Sequence, residues 1–167
     1  MAGLTGILFI VCLYDYREQK IPNKLIGLAL LTGLVRGLCL EGVLGLGRYL
    51  IVSAVVIFLL YPLFQIGGLG AGDVKLLGVC AGYFPVGDVF SFLFISLLFS
   101  AVFSMAKLVK EQNVKDRIAY FCEYCRTVVR QGKWACYVPV AGGKRLKGVC
   151  MAGPVLCSVL LKLGGVY

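Results

Sequence analysis

Long apolar runs alternate with short polar breaks along the chain. Residues 2–14 are almost wholly apolar and lead into Asp15 and the polar stretch Arg17-Glu18-Gln19-Lys20. Extended to residue 16, this first run makes about 24 Å of helix. That is short for a bilayer core, but within what tilt or local thinning absorbs. No basic region precedes the run and no small-residue cleavage site follows it, so it reads as a retained span and not as a removed signal. The pattern predicts a second helix over residues 24–40, with Pro22 suited to its first turn, where a missing N–H costs nothing. Gly42, Gly45 and Gly47 mark a turn, and a third span follows over 49–66. After the glycine cluster at 67–72 comes a short fourth helix over 74–84, stopped near Pro85. Asp88 is placed to cap a fifth over 89–106. The last apolar block, 149–166, is interrupted by Gly153-Pro154.

Between the fifth and last blocks, residues 107–148 turn polar and basic. Val114, Ile118, Phe121, Cys125 and Val128 recur there at spacings of four and three, which predicts an amphipathic helix lying along the membrane or against the bundle. Residues 138–147, with Gly142-Gly143, read as a loop. The expected architecture is a single all-α domain over residues 1–167, a polytopic membrane bundle of about six transmembrane helices. The 107–148 segment would be a basic cytoplasmic appendage to it.

Composition strengthens this picture. Hydrophobic residues make up 60% of the chain and charged ones 15%, against about 25% charged in a soluble domain; mean hydropathy is +0.91. The net charge is +9. Its basic residues lie between apolar blocks instead of patterning a soluble surface, so membrane lipid is the expected partner and nucleic acid is not. If residues 15–24, 67–75 and 107–148 face the cytoplasm, they hold 14 of the 17 Lys and Arg residues and leave only Arg36, Arg48 and Lys162 for the other side. The positive-inside rule selects that orientation, with both termini extracytoplasmic. The absence of histidine excludes His-dependent triads and imidazole metal sites. Most of the eight cysteines sit in apolar stretches as small hydrophobes. Cys122 and Cys125 have metal-like spacing, with Cys136 beyond, but no second CxxC accompanies them. No metal and no cofactor is expected.

That orientation brings two acids to one depth. Asp15 closes the first span and Asp73 opens the fourth, both at the cytoplasmic rim. A carboxylate at the edge of a span is costly unless it has water, a partner or a cavity. Two at one level suggest a pair that shares a proton and can activate a water. A plain helix-capping role is the competing reading for each. Gly70 and Gly72 beside Asp73 would let an extended substrate backbone approach, whereas Lys75, about 200° around the helix from Asp73, reads as a lipid-facing anchor.

At these residues the chain resembles the prepilin peptidases, the type IV leader peptidases among the GxGD membrane aspartyl proteases. Gly70-Ala71-Gly72-Asp73 matches the defining motif, Val74-Lys75-Leu76 continues it, and Asp15 heads a stretch ending in Ile21-Pro22-Asn23. Met151-Ala152-Gly153-Pro154 is similar to the family's small-residue and proline opening of its last helix. The resemblance implies that Asp15 and Asp73 are the catalytic dyad, that Gly70 and Gly72 shape the second acid's loop, and that Pro22 and Asn23 position the first acid's segment. It further implies cleavage of the basic leader of a prepilin or pilin-like protein at the cytoplasmic face of the inner membrane, in the company of pilus or secretion assembly components. Larger members carry a cytoplasmic domain with paired CxxC motifs between the first two spans and also N-methylate the mature pilin. Only about ten residues separate the spans here, which implies a short form without methyltransferase activity. Two other readings keep the bundle but not the reaction: a non-enzymatic membrane subunit of a pilus or secretion assembly, and a small transporter.

Overall fold

The computed structural model describes residues 2–18, 21–110, 140–141, 144–145 and 150–165. The described residues form five helices: α1 (Ala2–Glu18), α2 (Asn23–Gln65), α3 (Ala71–Ala81), α4 (Val86–Lys110) and α5 (Ala152–Leu163). A two-residue antiparallel pairing joins β1 (Val140–Ala141) to β2 (Lys144–Arg145), Val140 opposite Arg145. This places a minimal hairpin inside the segment read from sequence as a loop. The expected amphipathic helix around residues 114–128, with Cys122, Cys125 and Cys136, lies outside the described residues.

α2 is one helix by its hydrogen bonds but folds back on itself. Gly42 has φ 64° and ψ −148°, a backbone state that only glycine reaches without strain. A Cβ built on Gly33 would meet the Tyr49 ring, and one on Gly45 would meet the Gly37 carbonyl oxygen at 2.5 Å. In a straight helix, residues 33 and 49 would be about 24 Å apart, so these contacts require the chain to reverse at Gly42. The two arms, residues 23–41 and 43–65, are each on the order of 30 Å long and pack antiparallel with their backbones close. The broad turn predicted over 42–47 is therefore a one-residue break. Gly45 belongs to the helix and serves the seam between the arms, where small residues let helices approach.

The remaining helices continue the up-and-down course. α3 runs back along the second arm, with Gly78 against Ile57 and Gly82 against Tyr49 and Ser53. Tyr83 then ties the end of this hairpin to the first arm. Its hydroxyl donates to the Ala29 carbonyl at 2.6 Å, and Arg36 Nη1 donates to the Tyr83 carbonyl at 3.0 Å. Tyr49 and Tyr83 meet edge to face at 5.6 Å. α4 and α5 are antiparallel: Lys162 pairs with Asp88 at 2.9 Å at one end, Ser158 Oγ donates to the Phe92 carbonyl at 3.3 Å, and Ser100 Oγ meets Met151 Sδ at the other. α5 also packs along α1, where Cys12 lies beside Gly153.

Several boundaries differ from the pattern-based expectation for local reasons. α2 begins at Asn23, so Pro22 sits at the cap position, its carbonyl accepting from the Leu25 and Ile26 N–H groups. α3 begins at Ala71, three residues early, because the Gly70 carbonyl already accepts from Asp73 and Val74. α4 begins at Val86, which puts Asp88 in its first turn, paired to Lys162, and not at its cap. Gly153-Pro154 stands in the first turn of α5, where proline fits, and does not break its middle.

The core gathers Leu4, Leu8 and Val11 of α1, Leu76, Leu77 and Cys80 of α3, Phe84 and Phe92 around α4, and Val155 and Val159 of α5. The outside is as apolar as the inside: Leu44, Val43, Phe58 and Phe90 are each more than three-quarters exposed. Faces of this kind need a non-aqueous surrounding. Among the described residues, α2 and the 86–106 part of α4 are long and apolar enough to cross a bilayer. The chain is thus an all-α bundle of membrane type.

A Gly45→Val substitution drives side-chain atoms into the Gly37 carbonyl and should destabilise the hairpin by about 1–3 kcal/mol. Gly47→Ala has open space around it and should cost nothing. Thermal unfolding of the detergent-solubilised variants compares the two.

Candidate active site

The topology sorts the chain into two ends. At one lie the C-terminal turn of α1, residues 21–23, the 66–70 connection, the start of α3 and residues 150–152. At the other lie Gly42, Gly82 to Val86 and the end of α5. Among the described residues, each of the three basic residues at this second end is engaged: Arg48 pairs with Glu41 at 2.9 Å, Lys162 with Asp88, and Arg36 lies over the Tyr83 ring at 5.9 Å while bonding its carbonyl.

Asp15 and Asp73 share the first end. Asp15 is 5% exposed, a depth at which a carboxylate needs hydrogen-bond donors. The start of α5 supplies them. The Ala152 N–H donates to Asp15 Oδ2 at 3.1 Å, the Met151 main chain lies near enough to favour the charge, and the Cys150 thiol donates to the Asp15 carbonyl at 3.3 Å. Asp73 is half-buried in the first turn of α3, and its Oδ2 accepts from the Gly70 N–H at 3.2 Å. The two carboxyl groups are close enough to interact electrostatically.

The other expected site residues frame this pair. A Cβ on Gly70 would lie 2.7 Å from Asp73 Oδ2, so the missing side chain leaves that carboxylate its place. A Cβ on Gly72 would lie 3.3 Å from the Ile21 Cβ. The atoms nearest both glycines are therefore the chain's own. The Ile21-Pro22-Asn23 segment touches the Asp73 loop through Ile21, while Pro22 starts α2 and Asn23 is exposed with no capping side-chain bond. Lys75 is exposed. The sequence reading missed Ile21 and the main-chain donors of Met151 and Ala152. Gly153-Pro154 was the available signal for the latter, since proline inside a helix start marks where unbonded N–H groups are to be found. Among the described residues, no cluster of His, Cys, Asp and Glu is arranged to hold a metal ion.

A helical bundle with an apolar exterior and two acids at one rim defines a class of membrane protein with polar chemistry at its edge. The chain belongs to the type IV leader peptidase family, whose sequence model matches residues 2–105, well over half of it and inclusive of both acid motifs. No curated protein and no solved structure matches it.

Cysteines placed singly at the exposed positions Arg17 and Lys75 should react with a membrane-impermeant maleimide from one side of the bilayer. Cysteines at Val43 and Gly87 should react only from the other. Labelling of intact cells and inverted vesicles, in a background freed of the native cysteines, reads this out.

Proposed function

We propose that this protein is an aspartyl endopeptidase that removes the leader peptide of a prepilin or pilin-like protein at the cytoplasmic face of the inner membrane. The observation that carries the reading is the meeting of the two acid motifs of a leader peptidase family member at one end of the bundle, with their carboxyl groups in electrostatic range. Six spans follow if both arms of α2 cross the bilayer along with α1, α3, α4 and α5. The basic residues that flank the acid motifs, such as Arg17, Lys24 and Lys75, then set that end in the cytoplasm. Among the described residues, the cations of the other end, Arg36, Arg48 and Lys162, are each paired or held, which suits the face that lacks the attraction of anionic lipid.

In this reaction Asp15 and Asp73 share one proton, because two carboxylates brought together around one water do not both ionise. The ionised carboxylate takes a proton from water as the oxygen attacks the scissile carbonyl carbon. The protonated partner gives its proton to the carbonyl oxygen, and a gem-diol results. Collapse breaks the C–N bond: the amine nitrogen receives the proton first taken from water, and a diol hydroxyl returns a proton to the other acid. The products are the leader with a new carboxyl terminus and the mature pilin with a free amino terminus. The reaction calls on no metal or cofactor, and the location at the rim suits a cleavage just before a hydrophobic helix. The short connection between α1 and α2 leaves no room for a methyltransferase domain there.

In proteoliposomes carrying the full chain and a prepilin, Asp15→Asn and Asp73→Asn should each lower the cleavage rate on the order of 10³-fold or more, because the pair acts as a unit. Normal processing by both would overturn the aspartyl reaction and favour a non-enzymatic assembly subunit. Gly70→Ala, which displaces the Asp73 carboxylate but leaves the bundle intact, should cost about 10²-fold in kcat. Wild-type activity should fall on both sides of an optimum, at low pH as both acids take a proton and at high pH as both lose it.

A further inference from the structure

α5 opens without a cap of its own. Its N-cap residue is Met151, whose thioether meets Ser100 of α4 instead, and no side-chain capping bond is made there. The first N–H groups of a helix have no partner within it. In α5, the Asp15 carboxylate of α1 takes that place from across the bundle, accepting from Ala152 at 3.1 Å with Met151 alongside. Asp15 needs this partner as much as the helix does. It is nearly fully buried, and it stands in the last turn of α1, where the helix dipole opposes a negative charge. The N-terminus of α5 presents the opposite end of a dipole to it. Asp73 is placed differently, since its own helix α3 begins beneath it and supplies the Gly70 N–H.

We propose that the opening turn of α5 is a positioning element for the reaction: the Ala152 N–H orients the Asp15 carboxylate and favours its charged form against the burial that disfavours it. This rests on the peptidase reading above. Among the described residues, the titratable groups around Asp15 are Asp73 on α3, Cys12 on α1 with Cys157 of α5 behind it, and Cys150 at the approach to α5. None of these is a cation, and the main-chain donors of α5 act against the burial of the charge. The family match ends at residue 105, before this turn. The inference stands on the bundle geometry.

The test replaces Ala152 by lactic acid in the full chain, exchanging one peptide N–H for an ester oxygen at unchanged side-chain shape. Loss of a donor disfavours charged Asp15, so the acid limb of the pH–rate profile should move to higher pH. kcat should fall on the order of tenfold or more, with KM for the prepilin held. The matching ester at Val155 removes only a bond inside α5, from Val155 N–H to the Met151 carbonyl, and should leave the acid limb in place. Equal movement in both esters, or none in either, overturns the proposal. A readout free of catalysis runs beside it: in protein with the native backbone, carboxyl-¹³C Asp and ¹⁵N Ala labels should show the Ala152 amide shift following the Asp15 titration and losing that response in Asp15→Asn. An Ala152 amide indifferent to Asp15 overturns the positioning role even if prepilin is cleaved. A coupled amide in a protein that cleaves no prepilin leaves the positioning role standing and removes the peptidase reading instead.

Discussion

The contact between the Asp15 carboxylate and the first N–H groups of α5 joins the beginning of the chain to its last helix, and it sits at the end of the bundle where the second acid also lies. Without it, two costs would stand uncompensated in an apolar setting: a buried carboxylate at the wrong end of a helix dipole, and a helix start with unbonded donors. Each cancels much of the other. Elsewhere α1 and α5 touch mainly through apolar side chains, which slide easily. The polar contact fixes their register, and with it the depth of Asp15 relative to Asp73.

Asp73 owes its position to a different device. α3 is only 11 residues long, yet its end is fixed from both sides. Glycines at 78 and 82 let it settle against the second arm of α2, and Tyr83 anchors its far end to Ala29 and Arg36 of the first arm. Its near end rests on Ile21 through Gly72. A short helix clamped in this way has little freedom to slide along the bundle axis. The glycines that look, in sequence, like sources of flexibility act mostly as sites of close approach, and they make the site more rigid. Gly42, like Gly67 with its φ of 82°, needs its conformational range instead, and the entire reversal of α2 passes through Gly42.

Much of this was legible in the sequence, for identifiable reasons. Apolar runs bounded by charges set the helices, because a span must keep charges out of the bilayer core. The distribution of Lys and Arg put Asp15 and Asp73 on one side, and the topology brings them to one end of the bundle. What escaped was whatever depends on main-chain atoms or on partners far along the chain. The Ala152 donor lies 137 positions from Asp15 and carries no side-chain signature. The turn at Gly42 was read as wider than it is because Gly45 and Gly47 look like turn residues, though one packs against the other arm and the other faces open space. Asp88 looked like a cap and is an ion-pair partner, because its lysine comes from α5, 74 positions later.

The two ends of the bundle also solve the problem of charge in opposite ways. Among the described residues, each cation at the far end has a nearby acid or aromatic ring: Glu41 for Arg48, Asp88 for Lys162 and Tyr83 for Arg36. At the acid end the carboxylates meet backbone amides, which donate without adding a full positive charge. A lysine or arginine in salt-bridge contact would hold both acids ionised and remove the shared proton that a water-activating pair requires. Amide donors stabilise a charge while leaving the second proton in play. In a protein with no histidine and a net charge of +9, keeping cations off the two carboxylates is as much a condition for such chemistry as bringing the carboxylates together. The exposed, outward position of Lys75, two residues from Asp73, meets that condition where it is hardest to meet.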